Sequence, residues 1–114
     1  MAKANFTRSD RISAELRRLL GSMVHEAVRD HALPSVSVSD VEVTKDFDMA
    51  TVFVTALLPD TAKDAVKALN EMAKEFRHEL SQVMRMRRVP ELRFKYDDSV
   101  DRGERIEALL RGKI

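Results

Sequence analysis

Positive charge is concentrated in one short stretch of the sequence, RMRRVPELRFKYDDS, residues 85–99. A single acid, Glu91, lies within its basic part before Asp97 and Asp98 reverse the sign; the basic residues are Arg85, Arg87, Arg88, Arg93 and Lys95. Guanidinium groups hold phosphate oxygens through paired hydrogen bonds, so this cluster suits a nucleic-acid backbone. Because the formal net charge is only +1, attraction to a polyanion must come from how the charge is arranged.

A second set of basic residues recurs along a predicted helix that precedes this cluster. The apolar stripe of that helix steps by three and four residues through Ala62, Val66, Leu69, Ala73, Phe76, Leu80 and Val83. At about 100° per residue, Lys63, Lys67, Lys74, His78 and Arg85 fall within roughly 60° of one another. We predict an RNA-binding surface made of Lys63, Lys67, Lys74, Arg77, His78, Arg85, Arg87 and Arg88, with Arg8 and Arg11 as a second contact.

Two structural readings compete with this prediction. The helix face is equally typical of a solvated surface on which opposite charges, such as Glu71 and Lys74, pair at neighbouring positions. The arginines after the helix can instead pair with Asp97 and Asp98, and exposed pairs of that kind contribute only about 0–1 kcal/mol.

The remaining patterns predict the elements that must position these residues. Ser9 or Asp10 is expected to cap a first helix with apolar residues at Ile12, Leu16, Leu19, Met23 and Ala27. Three strands follow at about 36–44, 49–57 and 92–97, with a bulge or kink at the change of phase near Ser39. We expect the middle strand to be flanked on both sides, and Pro90 to precede the last strand.

The long second helix is expected to begin at Thr61 with Asp64 in a capping box. At about 25 residues it would span roughly 37 Å, so a bend or break near its middle remains open. A short final helix is predicted to carry Ile106, Leu109 and Leu110. One-sided apolar stripes place the first and long helices on the same face of one sheet, which is an α+β fold with a single domain over residues 1–114.

Composition and motifs exclude several classes of function. The chain has no cysteine and no window approaching the roughly 20 apolar residues of a membrane span, so we expect a soluble, cytoplasmic protein. His25 and His31 lack the spacing of a helical zinc pair, and Asp46 and Asp48 suit a hairpin turn better than a magnesium site. With no catalytic motif, we expect no enzyme activity, cofactor, metal or small-molecule substrate.

The aromatic residues also bear on how RNA would be recognised. Those predicted to face the core are Phe53, Phe76, Phe94 and Tyr96. Their burial favours recognition of the RNA backbone and shape over stacking on bases.

The segments MRMRRVPELRFKYDDS and VEVTKDFDMATVFVT closely resemble ribosome-binding factor A, a family of assembly factors of the small ribosomal subunit. The similarity runs from the region of Arg8–Arg11 through Leu110. It implies a KH-like domain of type II, ordered helix-strand-strand-helix-helix-strand. It also implies binding to small-subunit ribosomal RNA during late maturation and rRNA processing, a role that matters most at low temperature.

The sequence departs from the family pattern at one point. The glycines are Gly21, Gly103 and Gly112, so the GxxG loop of an ordinary KH domain is missing. The family has a helix kink at an Ala-x-Gly sequence in its place, and the corresponding residues here are Met72, Ala73 and Lys74, without the glycine. The alternative function is a protein-interaction module or small dimer that uses the mixed-charge helix without binding RNA; for the RNA-binding function we expect a monomer.

Overall fold

The computed structural model of the protein describes residues 7–99 and contains three helices and three strands in this range. Their order is α1 (Arg8–Asp30), β1 (Val36–Val43), β2 (Met49–Ala56), α2 (Ala62–Glu71), α3 (Ala73–Val83) and β3 (Glu91–Tyr96). This is the helix-strand-strand-helix-helix-strand order expected from the sequence. The predicted final helix lies outside the described residues.

Helix α1 begins two or three residues earlier than predicted, because Thr7 caps it and not Ser9 or Asp10. The Thr7 hydroxyl accepts a hydrogen bond from the Asp10 N–H, and the Asp10 carboxylate accepts one from the Thr7 N–H, each at 3.1 Å. This reciprocal pair is a capping box, in which two backbone donors at the helix start are satisfied at once. The buried side of α1 consists of Ile12, Leu16, Leu20, Val24 and Ala27.

The sheet has the strand order β1-β2-β3, with β1 antiparallel and β3 parallel to β2. The predicted irregularity in β1 is confirmed, since the register shifts between Val38 and Asp40 and leaves Ser39 as the extra residue. The Ser39 hydroxyl lies 3.3 Å from the carbonyl oxygen of Phe53 and 2.7 Å from a carboxylate oxygen of Asp97. The bulge is therefore held by contacts to both neighbouring segments.

All three helices cover one face of the sheet, as the apolar stripes predict. Helix α1 packs on β1, whereas α2 and α3 pack on β3. The paired inner positions Val41, Val52 and Phe94 are all buried and belong to one core together with the helix stripes. Burying this common apolar face is the main source of stability for such a layered domain.

The structure places β2 between β1 and β3, so the strand has a neighbouring strand on each side, but the helices of residues 7–99 cover only one of its two faces. Ala50, Val52 and Val54 are fully buried, but the alternating residues Met49 and Phe53 are only half-buried. The helices of residues 7–99 pack against the inner face, so Phe53 does not belong to the core, contrary to the sequence prediction. Leu57, the last residue of the predicted strand, is 77% exposed, because β2 ends at Ala56.

The long helix is interrupted at Met72, although the family glycine is missing. Met72 has φ −95° and ψ 2°, and its N–H lies 3.0 Å from the Leu69 carbonyl and 3.2 Å from the Ala68 carbonyl. A donor shared between these two carbonyls is typical of a helix terminus.

The start of α2 also differs from the prediction. The Thr61 side chain makes no capping bond, and its hydroxyl donates to the Leu58 carbonyl at 2.7 Å within a 3-10 turn.

The side chain of Asn70 joins the end of α2 to β3. Its amide nitrogen donates to the Phe94 carbonyl at 3.1 Å, and its amide oxygen accepts from the Phe94 N–H at 2.8 Å. Because β3 is the edge strand of the sheet that residues 7–99 form, these two bonds replace the strand pairing that Phe94 lacks on its outer side within that range. They fix the chain two residues before the interruption at Met72.

Gly21 in the middle of α1 allows a first prediction. A Cβ built on this residue meets nothing within 4 Å, so alanine is accommodated without strain. Glycine inside a helix is about 0.5–1 kcal/mol less favourable than alanine. We expect Gly21→Ala to raise the free energy of unfolding in urea by this amount, and the neighbouring Ser22→Ala to raise it by about half as much. An unchanged or lower value for Gly21→Ala would show that the space at this position is not open.

Candidate nucleic-acid interface

The interruption at Met72 divides the predicted basic face into two parts. Lys63 and Lys67 lie on α2, whereas the remaining helical members of the set lie on α3. The angles that were calculated around the axis of one straight helix do not apply on both sides of this break. Lys63 and Lys67 are exposed but line neither of the two grooves that collect the other basic residues. The structure therefore does not bring these two lysines together with the rest of the predicted site.

The first groove lies between α3 and the connection that leads to β3. Its basic side chains are Lys74, Arg77, His78 and Arg88, and Val89 forms part of its wall. Arg77 is half-buried and its Nε donates to the Val89 carbonyl at 3.0 Å. This bond ties the connection to α3, so Arg77 has a structural role in addition to the charge that it brings to the groove.

The second groove lies between the start of α1 and the end of α3. Arg8, Arg11 and Arg85 line it, together with the acid Glu15. The sequence predicted Arg8 and Arg11 as a separate contact, and the structure places them beside Arg85. The guanidinium of Arg8 lies over the Phe47 ring, 5.3 Å from its centroid. A cation-π contact at such an exposed position contributes about 0.5–1 kcal/mol.

The turn between β1 and β2 orients Arg88 through Asp48. A carboxylate oxygen of Asp48 lies 3.0 Å from a terminal nitrogen of Arg88, and the Asp48 carbonyl accepts the Glu91 N–H at 2.9 Å. Both partners of the ion pair are more than half exposed. The competing prediction that these arginines pair with Asp97 or Asp98 does not hold for Arg88, and Arg85 and Arg87 form no ion pair within residues 7–99.

The same turn is built by Asp46, as predicted for a hairpin. The Thr44 hydroxyl donates to the Asp46 carboxylate at 2.7 Å, and the Asp48 N–H donates to it at 3.1 Å. The bond from Thr44 is the main cause that lowers the pKa of Asp46, and the bond from Asp48 acts in the same direction. Both bonds hold Asp46 in the turn. Phe47 in this turn has a φ of 61°, a left-handed conformation that its neighbours hold in place.

These contacts bring eight of the ten predicted basic residues to one end of the domain. Parallel strands β2 and β3 both begin there, and the β1–β2 turn and the α3–β3 connection lie beside their first residues. We call this set the basic pole; it consists of Arg8, Arg11, Lys74, Arg77, His78, Arg85, Arg87 and Arg88. Arg85, Arg87 and Arg88 are exposed, which leaves their guanidinium groups accessible to phosphate oxygens.

The sequence did not indicate Phe47 or Asp48 as partners of the basic residues. The segment KDFD was interpreted only as a turn, and the pairing that places Asp48 next to Arg88 depends on strands far apart in the chain. The carboxylate of Asp97 accepts the Ser99 N–H at 3.0 Å. Among residues 7–99 no cluster of three or more histidine, aspartate or glutamate side chains is arranged to bind a metal. Nor does any helix in that range have the length and apolar character to cross a membrane.

Three helices on one face of a three-stranded sheet, in this order, define a KH-like α+β domain, and here it carries a basic pole instead of a glycine loop. The family model for ribosome-binding factor A matches residues 8–110. The chain belongs to the ribosome-binding factor A family.

Sequence relatives and solved structures agree with this assignment. The chain is 59% identical over 111 residues to ribosome-binding factor A of Xanthomonas oryzae pv. oryzae, covering 97% of this chain and 85% of the relative. It is 58% identical over 106 residues to that of Stenotrophomonas maltophilia, covering 93% and 84%.

Among solved structures, the crystal structure of ribosome-binding factor A from Thermus thermophilus has a TM-score of 0.68 at 28% identity, covering 77% of this chain and 93% of that one. A homology model of the Thermus thermophilus factor, fitted into a cryo-EM map of its complex with the 30S subunit, has a TM-score of 0.55 at 26% identity, covering 74% and 93%.

Proposed function

We propose that the protein binds the small ribosomal subunit through the basic pole, contacts phosphates of its ribosomal RNA, and assists late assembly and rRNA processing. The observation that carries this proposal is the convergence of Arg8, Arg11 and Arg85 with the exposed Arg87 and Arg88 at one end of the domain. A related factor was fitted into a complex with the 30S subunit, which supports a ribosomal partner.

The burial of Phe76 and Phe94 favours recognition of the RNA backbone over its bases. Phe76 and Phe94 pack against each other in the core, with ring centroids 5.7 Å apart, so neither ring is accessible for stacking. The basic residues of the pole present charge and hydrogen-bond donors, which bind phosphates with little dependence on sequence. Affinity should therefore follow the shape and charge of the RNA.

Salt dependence distinguishes this function from a protein-interaction module. If four to eight phosphates are contacted, a plot of log K against log salt for binding to purified small subunits is expected to have a slope between about −3 and −7. The measurement requires titrations between about 50 and 200 mM salt, where such a slope changes affinity by roughly 10² to 10⁴. Binding that is indifferent to salt and unaffected by competing ribosomal RNA would instead support the interaction module.

A further inference from the structure

The outer edge of β1 has no neighbouring strand within residues 7–99. Backbone groups along an antiparallel strand alternate between pointing toward and away from the partner strand. The Thr44 N–H donates to the Met49 carbonyl, and the Leu57 N–H donates to the Ser35 carbonyl. Counting from these bonds, and allowing for the bulge at Ser39, places the backbone groups of Val36, Val38, Val41 and Val43 on the outer edge.

Helix α1 forms the opposite wall of a groove along this edge. One section lies between the first turns of α1 and residues 40–43, and the next lies between the second half of α1 and residues 36–38. We call both sections together the β1 edge groove. Gly21 lies in its wall, and a Cβ built on this glycine meets no side chain or neighbouring segment within 4 Å, so the groove has room for an added side chain there.

Acidic side chains dominate the section near residues 40–43. Asp10, Asp40 and Glu42 line it and are exposed, and Arg17 is the one basic residue among its lining. The other section includes the acid Glu26 and the base Arg29, and Arg29 already pairs with Asp30 at 3.4 Å. His25 also lines this second section, so it has no excess of acids. The section near residues 40–43 has the opposite sign to the basic pole, so it repels phosphates and attracts cations.

We propose that the β1 edge groove binds an extended peptide rich in lysine or arginine, from a partner protein, as a fourth strand of the sheet. Backbone hydrogen bonds to a free edge supply affinity in this mode of recognition, and the walls of the groove select the side chains. RNA is disfavoured by the acidic lining. A second copy of the chain paired edge to edge is disfavoured because Asp40 and Glu42 would then face each other.

The bulge restricts where this peptide pairs. The Val41 N–H already has a partner, since a carboxylate oxygen of Asp40 accepts it at 2.9 Å. Bulges and satisfied edge groups protect exposed strands from unspecific pairing. The peptide is therefore expected to pair with Val36 and Val38, next to the open space at Gly21, and to direct its basic residues toward Asp40 and Glu42.

The test uses an acetylated octapeptide of alternating lysine and valine, with the glutamate–valine version as its charge control. Amide exchange of the intact protein, followed by NMR, is expected to slow at Val36 and Val38 when the lysine peptide is present and to stay unchanged at Val41. Glu42→Lys and Gly21→Phe are each expected to weaken binding by roughly tenfold, through charge reversal and through filling of the groove. Glu71→Lys on α2 makes the same charge change away from the groove and is expected to leave affinity unchanged.

Circular dichroism of each variant separates loss of binding from loss of folding, and Gly21→Ala supplies a folded variant that leaves most of the groove open. Equal binding of the glutamate peptide, exchange protection elsewhere on the protein, or no binding of the lysine peptide would each overturn the proposal. So would a dimer whose contacts map to β1. Binding to the small subunit is measured with the same variants. If Glu42→Lys weakens binding to the small subunit but not binding of the lysine peptide, the surface faces the ribosome and the proposal is overturned.

Discussion

Changing Arg85, Arg87 and Arg88 together to alanine is expected to lower affinity for the small subunit by about 100-fold at 0.15 M salt. Each phosphate contact contributes about 0.7–0.9 to the slope of log K against log salt. The electrostatic contribution to log K vanishes at about 1 M salt. Between 1 M and 0.15 M salt, this slope raises the affinity by roughly fourfold to fivefold for each phosphate contact. The slope itself is expected to become shallower by about 2, which equilibrium titrations over a range of salt measure directly.

A matched variant separates position from net charge. Arg17, Arg18 and Arg29 are exposed on α1, outside the basic pole, and their replacement by alanine removes the same three charges. That variant is expected to change the slope of log K against log salt by less than the roughly 0.7–0.9 that one phosphate contact contributes. Equal losses in the two triple variants would show that only net charge matters and would contradict a defined phosphate-binding surface.

The thermal stability of the triple variant is expected to change little. Arg85 and Arg87 form no ion pair within the described range, and the pair between Arg88 and Asp48 is exposed on both sides. Exposed pairs contribute about 0–1 kcal/mol. If the variant instead melts markedly earlier and binds with unchanged affinity and slope, these arginines are structural and the proposed interface is wrong.

Local patterns predicted most of the fold because each depends on neighbours in the chain. The alternation of valines predicted β1 and its bulge, and the three- and four-residue steps of leucines predicted the helices and their common face. Errors arose at the ends of elements. Thr7 replaced the predicted caps, and Val83 is 58% exposed because α3 ends there, although it continues the apolar stripe. Capping and helix ends depend on single hydrogen bonds, which residue types alone do not determine.

The candidate site was predicted in composition but not in arrangement. Arg85 and Arg88 were expected to extend a face that includes Lys63 and Lys67, yet the break at Met72 leaves those lysines outside both grooves. The approach of Arg8 to Arg85 joins segments more than seventy residues apart, so no local pattern indicates it. The length of the long helix and the family resemblance did indicate a break near Met72, but not the bonds of Asn70 to Phe94, which reach across 24 residues of sequence.

Replacing Asn70 with leucine is expected to destabilise the domain by about 2–3 kcal/mol. The substitution keeps the approximate size of the side chain and favours a helix, but it removes both bonds to Phe94. A buried backbone group left without a partner costs about 1–3 kcal/mol, and these partly buried groups fall toward the lower end of that range because water reaches them. Urea unfolding measures the loss.

Two further variants show whether the paired hydrogen bonds are the cause. Asn70→Asp retains an oxygen that accepts from the Phe94 N–H but sets a second acceptor against the Phe94 carbonyl, so its stability should also fall below that of the protein. Gln82→Leu removes an exposed amide from α3 and is expected to change stability by less than about 0.5 kcal/mol. Because Asn70 holds α2 against β3 two residues before Met72, its loss should also speed amide exchange around the break more than in the body of α1. Unchanged stability and exchange in Asn70→Leu would mean that packing of Leu69 and Phe76 alone fixes the break, and the paired bonds would then be a consequence of the kink and not its cause.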